Sequence, residues 1–62
     1  MDKGFYQEIR AALDEESEAG NKYAKLAKMA PTVHCRETLM EMAREEIIHR
    51  AHLEGMLLGQ DE

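Results

Sequence analysis

Apolar residues recur at helical spacing through two stretches of the chain. From about residue 4 to residue 30 the series is Phe5, Ile9, Ala12, Leu13, Ala19, Tyr23, Leu26, Ala27 and Ala30, a 3.6-residue period that predicts one long amphipathic helix. From about residue 33 to residue 58 a second series runs Leu39, Met42, Ala43, Ile47, Leu53, Met56 and Leu57. Between them Pro31-Thr32 is the only strong break, because proline lacks the amide that a continuing helix needs. Thr32 is the expected N-cap of the second helix, although no Glu or Gln follows three residues later to complete a capping box. Gly59 is the expected left-handed cap at its end, and Lys22, Lys25 and Lys28 complement the dipole of the first helix. A turn this short joins antiparallel neighbours. The expected fold is all-α: one domain over residues 1–62, a hairpin of two helices each about 39 Å long. Its uncovered apolar stripe leads to dimerisation into a four-helix bundle with two-fold symmetry.

Acidic residues break this pattern. With residues placed at 100° intervals and the first helix centred on Glu16, its apolar positions all fall within about 80° of that carboxylate. Asp14, Glu15 and Glu18 lie outside the stripe. Glu46 occupies the same place in the second helix, among Leu39, Met42, Ala43, Ile47, Leu53 and Leu57, with His49 about 60° to one side; Glu45 and His52 point away. A carboxylate withdrawn from water without a partner costs several kcal/mol, roughly, so both positions require a reason. Glu16 precedes Pro31 by 15 residues and Glu46 follows it by 15. In an antiparallel hairpin both therefore sit about 22 Å from the turn, at one level.

Glu46-Ile47-Ile48-His49 is a Glu-x-x-His motif whose two side chains share a helical face. Ferritin-like dimetal bundles take a Glu from each of two helices and a Glu-x-x-His from each of the other two. One copy of this chain supplies half of that set. The segment Glu16-Ser17-Glu18-Ala19-Gly20-Asn21-Lys22-Tyr23 resembles the first ligand helix of rubrerythrins, including the Tyr seven residues after the Glu, and Ala43-Arg44-Glu45-Glu46-Ile47-Ile48-His49 resembles the second. The likeness runs from about residue 9 to residue 58, and the helix pair with this ligand spacing is also similar to encapsulated ferritins, whose di-iron centre forms between two subunits. The resemblance implies a ferritin-like di-iron oxidoreductase, either a ferroxidase using O₂ or a peroxide reductase. It implies Glu16, Glu46 and His49 as catalytic metal ligands, with Tyr23 as a hydrogen-bond donor behind them. It also implies two iron ions per dimer, with Mn as the other candidate. In the symmetric arrangement Glu46 bridges the metals, Glu16 is a terminal ligand and His49 gives one imidazole to each. The chain departs from a full rubrerythrin in having one ligand-bearing helix pair and no Cys-x-x-Cys pair. No capsid-targeting tail is evident after Gly59, so an encapsulating shell is not legible.

Composition fits this reading. Eight Lys+Arg against 13 Asp+Glu give a net charge of −5, which argues against nucleic acid and anionic membrane surfaces as partners. No apolar run approaches a membrane span, and the first residues lack a signal-peptide core. One cysteine, Cys35, and five methionines fit a reducing cytoplasm, or a protein compartment within it. A 62-residue core seldom offsets its ordering entropy without a disulfide, a metal or oligomerisation, and a disulfide within the chain is excluded. The expected partners are a second copy or a larger homo-oligomer, and O₂ or H₂O₂ as oxidant.

The competing reading is a metal-free helical dimerisation or interaction module. In it Arg50 and Arg36 neutralise the buried acids, with i,i+4 pairs Glu46–Arg50 and Glu45–His49. His34 and Cys35 lie about 16–18 Å along the helix from Glu46, too far to share its metal. His52 reads as solvated. Glu54, two turns beyond Glu46, is a candidate acidic approach for incoming iron, and Cys35 a candidate symmetric contact between subunits.

Overall fold

The computed structural model describes residues 3–59, which form two α-helices: α1, Lys3–Met29, and α2, Val33–Leu58. The break between them follows from local chemistry. The last turn of α1 tightens as the Ala30 amide donates to the Ala27 carbonyl at 3.3 Å. Pro31 has no amide to continue the ladder. Thr32, with extended φ and ψ of −130° and 157°, then caps α2: its side-chain oxygen accepts from the Cys35 amide at 3.1 Å, and its carbonyl accepts from the Arg36 amide at 3.1 Å. At the other end the expected left-handed glycine is absent. Gly59 has φ −85° and ψ −2°, because its amide still donates to the Gly55 carbonyl at 3.2 Å and keeps the backbone right-handed. Only Lys28 of the three lysines reaches the last turn of α1, where the helix dipole is felt.

The helices pack side by side and antiparallel in a slab of 49 × 15 × 10 Å. Their contact follows a coiled-coil rhythm. In α1 and the turn the seam positions are Tyr6, Ile9, Leu13, Glu16, Gly20, Tyr23, Ala27 and Ala30, in alternating steps of three and four residues and all at least half-buried. In α2 they are Leu39, Ala43, Glu46, Arg50, Leu53 and Leu57, with the same alternation. A seven-residue repeat of this kind keeps one narrow stripe facing the partner helix.

The broad apolar stripe expected of each helix therefore divides in two. Phe5, Leu26 and Met56 remain 47, 39 and 47 % exposed, and Ile47 is 63 % exposed. Two helices wrap only a narrow seam, and among the described residues only Ala27, 5 % exposed, is buried. Phe5, Ala12, Ala19 and Leu26 form a row at seven-residue spacing along α1, each one residue before a seam position. Met42, His49 and Met56 form the matching row on α2. In an antiparallel pair these two rows border the seam on the same side, making one largely apolar face interrupted by His49. Neither helix is long and apolar enough to cross a membrane.

Candidate metal centre

The middle of the seam is polar. Glu16 from α1 and Glu46 from α2 occupy facing seam positions, and His49 reaches over them from the apolar face. The His49 Nδ1 lies 3.1 Å from Glu16 Oε2 and 3.6 Å from Glu46 Oε1. One donor atom from each of the three residues falls within 4.8 Å of the other two. The carboxylates are the more sheltered members, with side chains 27 and 15 % exposed, against 54 % for His49. The two acids separated by 30 residues in sequence are thus brought to one level, with the Glu-x-x-His partner beside them.

This convergence splits the ionisation of the two acids. A hydrogen bond from Glu46, followed by one from His49, holds the Glu16 carboxyl below its ordinary value of 4.5. The same contact with Glu16, then desolvation, pushes Glu46 above that value. Two carboxylates this close compete for a proton, and of the pair Glu46 holds it more tightly. A cation held between them would favour both anions at once.

Gly20, one turn after Glu16, leaves room on the far side of Glu46. A Cβ at this position would stand 3.5 Å from the Glu46 Cβ, in ordinary contact. With Ser17, Asn21 and Ile47 it borders an open cleft of about 200 Å³ that reaches both carboxylates. Arg50, on the next turn, is a seam residue whose Nε is shut off from water and makes no hydrogen bond. Among the described residues, neither Arg50 nor Arg36 pairs with Glu16 or Glu46. His49 turns to Glu16 rather than to Glu45. The saturation by arginine that the metal-free reading requires is therefore missing.

The remaining candidates lie elsewhere. Tyr23 is a half-buried seam residue about 10.5 Å along α1 from Glu16, and among the described residues no hydrogen bond joins the two. His34 and His52 are exposed; Cys35 is a free, exposed thiol. Glu54 is exposed and borders a hollow beside Leu13, Leu57 and Leu58, away from the donor cluster. Arg50 and Gly20 were the site-level residues that a search for ligands overlooks. The signal for Arg50 was present in the steps 43, 46, 50, 53, 57, which place it inside the seam.

Among family models, curated proteins and solved structures, none matches the chain, so the reading of the site rests on its own geometry and chemistry.

Proposed function

We propose that this chain is half of a ferritin-like four-helix bundle of rubrerythrin type, and that two copies enclose a dinuclear iron centre. The observation that carries the reading is the convergence of Glu16, Glu46 and His49, from two helices, on one point within 4.8 Å. Two carboxylates and an imidazole are hard oxygen and nitrogen donors, suited to Fe or Mn. Their arrangement fits a cation, because the two acids stand close enough for their contact to raise the proton affinity of Glu46. Glu46 would be the ligand shared by the two ions. Glu16 is assigned as a terminal ligand and His49 as one imidazole per metal. When bound, a pair of iron ions supplies the two electrons that reduction of O₂ or H₂O₂ requires. The chain's own contribution is to hold three donors at one level and to exclude water once the face around His49 is covered.

A second copy is the cover this reading requires. The radius of gyration is 14.6 Å, against about 10.6 Å for a compact domain of this length. The accessible surface is 4996 Å², against about 4,100 Å² for a compact monomer of this mass. The excess, roughly 900 Å², is close to what one partner buries in a stable interface. A two-fold pairing across the row of Phe5, Ala12, Ala19 and Leu26 places a second set of donors against the first.

The test is anaerobic addition of Fe(II) to the full chain, followed by mass measurement under native conditions and then by exposure to O₂. Expected are about one iron per chain, a shift toward dimer or larger mass, and absorbance that develops with oxygen. His49→Ala should lose all three. Iron addition that changes neither mass nor oxygen-dependent absorbance would overturn the reading. Turnover with Fe(II) and O₂, compared with turnover of H₂O₂, separates a ferroxidase from a peroxide reductase.

A further inference from the structure

Arg50 takes a place that an apolar side chain fills elsewhere in α2. It lies on the seam between Glu46 and Leu53, half-buried, and its Nε is closed off from solvent with no acceptor. Withdrawing such a donor from water without a partner is costly, the more so when it is charged. The natural acceptor lies four residues back, since a Glu and an Arg so spaced stand side by side on a helix. Glu46 turns instead to His49, 3.6 Å away, and Glu16 does the same at 3.1 Å. Among the described residues no acceptor is left for the guanidinium.

The cleft beside the carboxylates is where that free fork can be used. Its rim includes Ser17, Asn21 and Ile47, each one residue after a seam position, whereas His49 comes one residue before one. The cleft therefore opens on the side of the seam away from His49, and a copy that covers the His49 face leaves it accessible. At about 200 Å³ it is smaller than the roughly 300–1,000 Å³ of pockets that take drug-sized ligands, which suits a small ion. The Ser17 hydroxyl already donates to the Leu13 carbonyl at 3.1 Å. The donors left at the cleft are Arg50 and the Asn21 amide, which among the described residues has no partner either. A planar guanidinium beside a neutral amide matches the oxygens of a small oxyanion.

Charge says when such an ion fits. Glu16 and Glu46 also border the cleft, and with both ionised the formal charge of these two acids and Arg50 is −1. One divalent cation on the donor cluster makes it +1, so the sign that an anion meets is inverted. We propose that this cleft is a site for a small oxyanion of the phosphate class, held by Arg50 and Asn21 and filled when the donor cluster carries its metal. The site rests on the metal-centre reading and adds a second ligand to it. Linkage then requires anion and cation each to tighten the binding of the other by the same factor.

The test is equilibrium dialysis of Mn(II), which air does not oxidise under these conditions, against the full chain in chloride and in inorganic phosphate at equal ionic strength. Protein-free controls account for phosphate bound to free Mn(II). Phosphate should tighten Mn(II) binding roughly tenfold in the wild type. The coupling is the ratio of the two affinities within each protein, so any change in Mn(II) affinity itself cancels. Arg50→Met keeps an apolar stem in the seam and should bring the ratio to about one, with helicity checked by circular dichroism. Asn21→Ala, at an exposed position, should reduce the ratio without endangering the fold. The phosphorus resonance of phosphate should broaden with Mn(II) on the wild-type chain and much less on Arg50→Met. A wild-type ratio of one, a ratio kept in Arg50→Met, or phosphate bound as strongly by the metal-free chain would each overturn the proposal. Mn(II) that binds without responding to phosphate counts against the anion site alone, whereas a chain that binds neither Mn(II) nor Fe(II) overturns the metal centre and the anion site with it.

Discussion

Glu16 and Glu46 come from different helices, yet neither ionises independently of the other. The contact between them lowers the proton affinity of Glu16 and raises that of Glu46 relative to 4.5, so their contributions to folding have opposite pH dependence. Glu16, depressed in the folded chain, stabilises it above the ordinary carboxylate value and loses that contribution as pH falls through its lowered value. Glu46, raised in the folded chain, contributes fully below the ordinary value and loses its share as pH rises through its raised one. These two groups together therefore favour the metal-free fold most near 4.5 and less toward both strong acid and neutral pH. Glu46→Gln cannot ionise and should remove the loss on the alkaline side. Urea midpoints measured in chelator across this range check it; a parallel decline of wild type and Glu46→Gln would assign the pH effect to other groups.

At the scale of the helices, two positions carry separable energies. Thr32→Ala removes the oxygen that accepts the Cys35 amide and should cost about 1 kcal/mol, read as a lower urea midpoint with unchanged slope. Gly20→Ala should do the reverse. Its Cβ meets Glu46 at an ordinary 3.5 Å, so the helix gains about 0.5–1 kcal/mol from lost unfolded-state freedom without a clash. A drop in stability there would mean that the carboxylates need the space the glycine leaves. Much of this level was legible in the sequence. Pro31 and Thr32 marked the turn, the limits of α2 fell where the apolar series placed them, and α1 differs by one residue at each end. Equal spacing from Pro31 was enough to bring Glu16 and Glu46 together, because helical rise is constant. Other features depended on tertiary context. A helical wheel groups apolar positions within a wide arc but does not say which of them one neighbour will cover, so Phe5, Leu26 and Ile47 looked interchangeable with Leu13 or Leu53. Gly59 permitted a left-handed cap without requiring one. Arg50 was read by its charge and its distance from Glu46, while its place in the seven-residue rhythm put it in the seam.

A single chain shelters little of itself: among the described residues one is buried, the helices form an elongated slab, and the histidine of the donor cluster is more than half exposed. Burial at roughly 25 cal/mol per Å² of apolar surface is the main term available to hold such a hairpin together, and most of its apolar surface beyond the seam stays in water until something covers it. Folding, association and metal binding should then be one linked equilibrium, since a ligand or subunit that binds only the folded form stabilises it by mass action. The expected signature is a melting temperature that rises with chain concentration, rises further with Fe(II), and returns to the metal-free value in chelator. Ala19→Arg sets a charge in the middle of the row formed by Phe5, Ala12, Ala19 and Leu26 without altering Glu16, Glu46 or His49. It should weaken the response to both concentration and iron, whereas Arg44→Glu, on the opposite face, should leave the iron response in place. Scanning calorimetry of the three proteins at two concentrations, with and without Fe(II), distinguishes these outcomes. A melting temperature indifferent to concentration and metal alike would mean that the narrow seam alone suffices to fold the chain.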